Sequence, residues 1–150
     1  MRAITIKRWK SEQGDNLVEF SLVAFMFVIV LFGIVEMGRM VLVYTAVANA
    51  ARAGARYAIV HGSLRTGSGV NGPSGPGSTT QVETVVKNFA STGLLTTSNL
   101  TINVTYPNGT NAPGAAVKVA VTYPYNPLTT FFNSKLGVTI GSSSEGVITF

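Results

Sequence analysis

The sequence predicts an α+β protein: one long N-terminal helix that crosses a membrane, then a small domain with one short helix and an antiparallel sheet. Three observations predict it. Residues 17–35 read LVEFSLVAFMFVIVLFGIV, apolar except at Glu19 and Ser21. Proline-free, helix-compatible sequence then continues to Val60. Beyond it, two runs alternate apolar and polar residues with the period of two that marks half-buried strands. Composition agrees: 46% of the 150 residues are hydrophobic and 11% charged, with a mean hydropathy of +0.34, too apolar for a disordered chain. With no cysteine, disulfide scaffolds, thiol nucleophiles and Cys-ligated metals are excluded.

The first segment, residues 1–14, is basic. Arg2, Lys7, Arg8 and Lys10 lie within it, and without it the net charge of +5 falls to seven basic against five acidic residues. The basic balance is mainly a property of this leader, so nucleic-acid binding, which needs clustered cations on a face, is not expected. At about 1.5 Å per residue, residues 17–35 span roughly 28 Å, close to the hydrocarbon thickness of a bilayer. A buried core helix is the alternative, but the polar residues after position 60 are too few to surround one. The basic start predicts a cytoplasmic N-terminus and an extracytoplasmic C-terminal domain, although Arg39, Arg52 and Arg56 follow the span.

A basic stretch before an apolar one admits three readings. A cleavable secretory signal would use Ala48-Asn49-Ala50, thirteen residues beyond Val35 and past Glu36 and Arg39, too far from the apolar core. A permanent anchor fits better. A third reading also accounts for Gly14 and Glu19.

Gly14-Asp15-Asn16-Leu17-Val18-Glu19-Phe20 resembles the prepilin peptidase site of type IV pilins and pseudopilins. There a basic leader ends in glycine and the fifth mature residue is glutamate; counted from Asp15, Glu19 is fifth and Phe20 sixth. Gly33-Ile34-Val35-Glu36-Met37-Gly38-Arg39 and Asn49-Ala50-Ala51-Arg52-Ala53-Gly54-Ala55-Arg56-Tyr57-Ala58 are similar to the signature of the TadE-like family, pilin-like proteins of tight-adherence (Tad) pilus systems. The resemblance covers about residues 14–60. It implies a type IV pilin-like architecture and cleavage between Gly14 and Asp15. It implies subunit docking through Glu19 and Phe20, with Glu19 meeting the new amine of a neighbour, and partner contacts at Arg52, Gly54, Arg56 and Tyr57.

The helix is expected over 15–60. Its distal half carries Ala46, Ala48, Ala50, Ala51, Ala53, Ala55 and Ala58, small residues that allow close approach to the outer domain on one face and to neighbouring subunits on the other. Residues 61–80 form a Gly/Ser/Pro-rich loop. A formal GxGxxG at 67–72 is rejected as a dinucleotide motif, because helix precedes it and Pro73 follows it. Lone His61 reads as a surface residue.

The small domain occupies 81–150. Thr80-Gln81-Val82-Glu83 reads as a capping box opening a helix with Val82, Val85, Val86 and Phe89 on its apolar face and Gly93 at its end. Leu100, Ile102, Val104 and Tyr106 share one strand face; Val117, Val119, Val121 and Tyr123 share another; the turn-rich 107–114 joins them as a hairpin. A further strand or hairpin is expected within 136–150. Half of the residues after position 60 are Gly, Ser, Thr or Asn, and no acid–base pair or metal-ligand spacing stands out. Neither an enzyme nor a cofactor is expected, and no small-molecule substrate.

The sequence reading is a minor pilin or pseudopilin of a Tad-type pilus, inserted in the inner membrane, processed after Gly14, taken into an extracellular filament and taking part in pilus assembly and adhesion. Its partners are the prepilin peptidase, other pilin subunits, the inner-membrane assembly platform and membrane lipid. The alternative is a permanently anchored single-pass protein whose outer domain binds a partner.

Overall fold

The computed structural model describes residues 12–93, 95–128 and 137–150. Helix α1, Glu12–Val60, is followed by α2, Thr80–Thr92, and three strands: β1, Thr101–Thr105, β2, Ala116–Tyr125, and β3, Val138–Val147. The predicted α+β layout is therefore observed, with one short helix after the long one and an antiparallel sheet in the order β1-β2-β3. The leader lies almost wholly outside the described residues; α1 is already helical at Glu12. The chain divides into two units, up to Met37 and from Gly38 onward, each described by itself below.

In the first unit, α1 carries an 18-residue window of mean hydropathy 2.7, none of it buried by protein. Leu17, Phe20, Phe25, Phe27 and Ile34 are each more than half exposed. A soluble monomer rarely exposes apolar surface so continuously. By length and composition, this helix can cross a bilayer once.

In the second unit, the alanine stripe explains itself. Val47, Ala50, Ala51, Gly54, Ala55 and Ala58 recur at helical spacing and are buried, while Asn49, Arg52 and Arg56 face out. Val82, Val86 and Ala90 of α2 meet this stripe, and Val117, Val119 and Val121 of β2 close the core beneath both helices. Helices thus cover one sheet face, as in α+β layering. The other face is polar: Thr101, Asn103 and Thr105 lie beside Lys118, Ala120 and Thr122. Lys118 stands directly opposite Glu145 on that face, an opposite-charge cross-strand pair.

The predicted hairpin forms in register, with Val104 opposite Val119 and Ile102 opposite Val121. The expected C-terminal strand or hairpin is one strand, β3, paired with β2 along its whole length from Val138 to Val147. After it, the Ile148 N–H donates to Ala115 O at 2.9 Å and the Thr149 N–H to Ile59 O at 3.0 Å, tying the chain's end to the end of α1.

Two local expectations change. The cap of α2 is Thr79, not Thr80, and its hydroxyl donates to the Glu83 carboxylate at 2.9 Å instead of accepting a backbone N–H. Phe89 is 48% exposed, and Ala90 takes the buried place instead. With Val82 and Val86 already inward, Ala90 continues the i, i+4, i+8 row, whereas Phe89 falls beside it.

The polar loop after α1 is pinned rather than loose. Ser74, fully buried, receives the Tyr106 hydroxyl at 3.3 Å and donates its own hydroxyl to His61 O at 3.1 Å. Its carbonyl accepts from Asn111 Nδ2 at 2.9 Å, and its N–H donates to His61 O at 2.6 Å. Burial pushes the Tyr106 phenol above its ordinary pKa, so it acts here as a neutral donor. Ser74→Ala is expected to cost about 1–3 kcal/mol, because the buried Tyr106 hydroxyl loses its acceptor. Tyr106→Phe removes the donor and should cost less. Thermal unfolding of both variants checks the order, and equal melting of Ser74→Ala and wild type would refute it.

Candidate functional site

The residues expected at the processing step stand at the start of α1. Gly14 and Asp15 are exposed. They lie within the helix's first turn, where N–H groups lack intrahelical partners and the backbone unwinds most readily. Glu19 follows one turn after Asp15, also exposed, and Phe20 beside it is 74% exposed. Among the described residues of this unit, none covers Glu19 or Phe20. A carboxylate at this depth of an apolar helix is costly in lipid unless partnered or kept at the interface.

The four residues of the distal signature do different things. Arg52 and Arg56 are exposed one turn apart on the outer face, with Arg52 Nη1 donating to Asn49 Oδ1 at 3.1 Å. Gly54 faces the other way. A Cβ there would overlap Val86 Cγ2 and stand 3.2 Å from Val119 Cγ1. Gly54, expected among the partner contacts, packs inside the chain's own core, where α1 crosses α2 and β2.

Tyr57 is half-buried and stacks on His61, with ring centroids 3.9 Å apart and planes 14° from parallel. His61 is not the surface residue expected from the sequence. It is 9% exposed, and its Nδ1 lies 2.8 Å from Tyr57 O. A carbonyl can only accept, so Nδ1 carries the proton. The ring partner of His61, Tyr57, lies one turn back in sequence, while the His61 carbonyl accepts from the N–H and hydroxyl of Ser74, a contact that no local pattern marks. Among the described residues, no group of three or more His, Asp or Glu comes together to hold a metal ion.

A concave feature went unread in the sequence. Arg39 places its guanidinium 5.6 Å from the centroid of the Tyr125 ring. Together with Leu42, Leu95, Asn99 and Asn126 they line a cavity of about 360 Å³. Arg39 and Tyr125 are too far apart in sequence for periodicity to connect them.

A single apolar helix able to cross a membrane, continuing into a small α+β body, defines the class of protein. Residues 17–56 match the family model described as TadE-like protein, so over this segment, about a quarter of the chain, the sequence is similar to that family. Glu19, Phe20, Arg52, Gly54 and Arg56 lie inside the match; Gly14, Asp15 and Tyr57 lie just outside it. No curated protein and no solved structure matches the chain.

Proposed function

We propose that the chain is a minor pilin or pseudopilin of a Tad-type pilus. It enters the inner membrane with its N-terminus in the cytoplasm and is cut by a prepilin peptidase between Gly14 and Asp15. It then joins other pilin subunits through the assembly platform, contributing to pilus assembly and adhesion rather than to catalysis. One observation carries the reading: Gly14 and Glu19 stand, at peptidase-site spacing, at the head of an exposed apolar helix whose residues 17–56 are similar to the TadE-like family.

Exposure and side-chain chemistry support the proposed division of labour. Glu19 and Phe20 lie on helix surface that is exposed among the described residues, where a neighbouring subunit can reach them. The amine freed on Asp15 has an unperturbed pKa of about 7.7–8.0 and is largely cationic at neutral pH. A pair between that amine and a neighbour's Glu19 in lipid would set register more than strength, because desolvation offsets the attraction. Arg52 and Arg56 offer an exposed cationic face to a partner beyond the membrane.

Mass spectrometry of the chain recovered from membranes or filaments tests this reading. A mature N-terminus at Asp15 is expected. Retained leader residues would instead favour the permanent anchor, and a start at Ala51 a secreted domain.

A further inference from the structure

We propose that the outer edge of β3 pairs in parallel with the outer edge of β1 on a second copy of the chain, continuing the sheet from one subunit into the next. With the order β1-β2-β3, each outer strand has a ladder partner on one side only among the described residues. The other side presents unpaired backbone N–H and C=O groups, a template for a further strand. β3 carries this edge over ten residues and lacks the devices that usually blunt one. It has no proline and no lysine, its register against β2 skips no residue, and its only charge is Glu145. Gly141, Ser142, Ser143 and Ser144 place no bulky side chain along it.

Strand direction and charge select the occupant. β1 and β3 both run antiparallel to β2, so they are parallel to each other. A copy added in the same orientation therefore meets β3 with its own β1 in parallel, a head-to-tail contact of the kind that builds open filaments. β3 against β3 serves less well. In parallel register it sets Glu145 beside Glu145, a like-charge pair. Antiparallel, it reverses one copy and closes at two. The ladders also supply a row-by-row match: Thr101, Asn103 and Thr105 share rows with Gly141, Ser143 and Glu145 across β2. Continued without stagger, the sheet sets Asn103 of the added copy beside Ser143, and no row brings two charges together. The inference rests on the pilin reading at one point, that successive subunits keep one orientation.

The chain contains no cysteine, so disulfide trapping on the full chain has no background. Asn103 and Ser143 are both exposed, so cysteines there leave the core intact. Within one chain they stand two strand spacings apart, roughly 9.5 Å and beyond the Cα separation a disulfide spans. Oxidation of membranes and sheared filaments holding the Asn103→Cys, Ser143→Cys double variant should give a ladder of dimers, trimers and larger species on a non-reducing gel. Neither single variant should link to itself. Thr105→Cys with Glu145→Cys, one row along, should give the same ladder and serves as the second pair if one variant fails to fold. Dimers from Ser143→Cys alone, no ladder from either pair, or an equal ladder from Asn103→Cys with Thr84→Cys on the exposed side of α2 would each overturn the proposal. The N-terminus of the same sample, read by mass spectrometry, separates the two readings. A chain that begins at Asp15 and forms no ladder overturns the edge pairing alone; a ladder from a chain that keeps its leader upholds the pairing and overturns the processing.

Discussion

Gly54→Val is expected to unfold the outer body, while Gly54→Ala weakens it by about 1 kcal/mol net. The position has no room on the inward side. An added Cβ overlaps Val86 Cγ2, stands 3.2 Å from Val119 Cγ1 and reaches ordinary contact with Val82 Cγ1 at 3.5 Å. All three valines are fully buried. Val86 sits on a helix, where a β-branched side chain has one strongly preferred rotamer and cannot swing aside cheaply. Val119 lies in the central strand, paired on both sides. Alanine recovers up to about 1 kcal/mol in helix propensity, which leaves a net loss near the lower end of the overpacking range. Valine adds two further carbons at the same point and forfeits most of that gain. Against a total stability of roughly 5–15 kcal/mol, with the body built around this one crossing, such a loss is decisive.

The interaction is directional, and a double-mutant cycle exposes it. Val86→Ala alone opens a cavity and destabilises; combined with Gly54→Ala it removes the carbon atom that the new methyl strikes. The pair should therefore lose less than the sum of the single variants, by about 0.5–3 kcal/mol. Denaturant unfolding of the full chain in detergent, followed by protease susceptibility of the body, measures all four corners. Strict additivity would mean that α1 shifts to relieve the contact, and Gly54 would then be no packing requirement.

The same glycine shows what a single sequence can reveal. The Ala-Arg-Ala-Gly-Ala-Arg-Tyr run was recognisable as a signature, but two opposite physical roles were folded into it. Period 3.6 separates them once the core side is known: residues 47, 50, 51, 54, 55 and 58 go inward, and 52 and 56 outward. The hairpin of β1 and β2 was legible because its apolar residues alternate and its turn carries Pro107, Asn108 and Gly109. By contrast β3, with the core sequence Gly141-Ser142-Ser143-Ser144, has little strand propensity of its own. It is a strand because β2 offers it ten consecutive partners. The Ser74 anchor was illegible for a related reason. Its partners are thirteen, thirty-two and thirty-seven residues away, and a serine in a Gly/Ser/Pro-rich loop carries no mark of burial.

Gly14→Leu is expected to leave the leader attached while making the helix more stable, and the opposite signs are what give the experiment its force. Under the proposed processing, a peptidase must draw the Gly14–Asp15 peptide out of helical geometry into its own cleft. Glycine opposes this least: it favours the helix by about 1 kcal/mol less per residue than the best formers, and it presents no side chain to the enzyme. It also lies in the first turn of α1, where few backbone bonds must break. Leucine reverses both conditions. Its helix propensity is high, and its side chain occupies the space from which the enzyme must approach the carbonyl. Cleaved chain should fall from complete to undetectable on a gel that resolves the leader, with filament incorporation lost alongside. The α1 amides near residue 14 should meanwhile exchange more slowly, by the same propensity difference. A variant that merely misfolded would lose processing and protection together, so the two readouts separate failure of folding from failure of recognition. Glu19→Gln supplies the converse arm: it keeps Gly14 and the scissile bond, so cleavage should persist while incorporation falls. If Gly14→Leu were processed as completely as wild type, the site would not be a peptidase site, and the helix would be a permanent anchor.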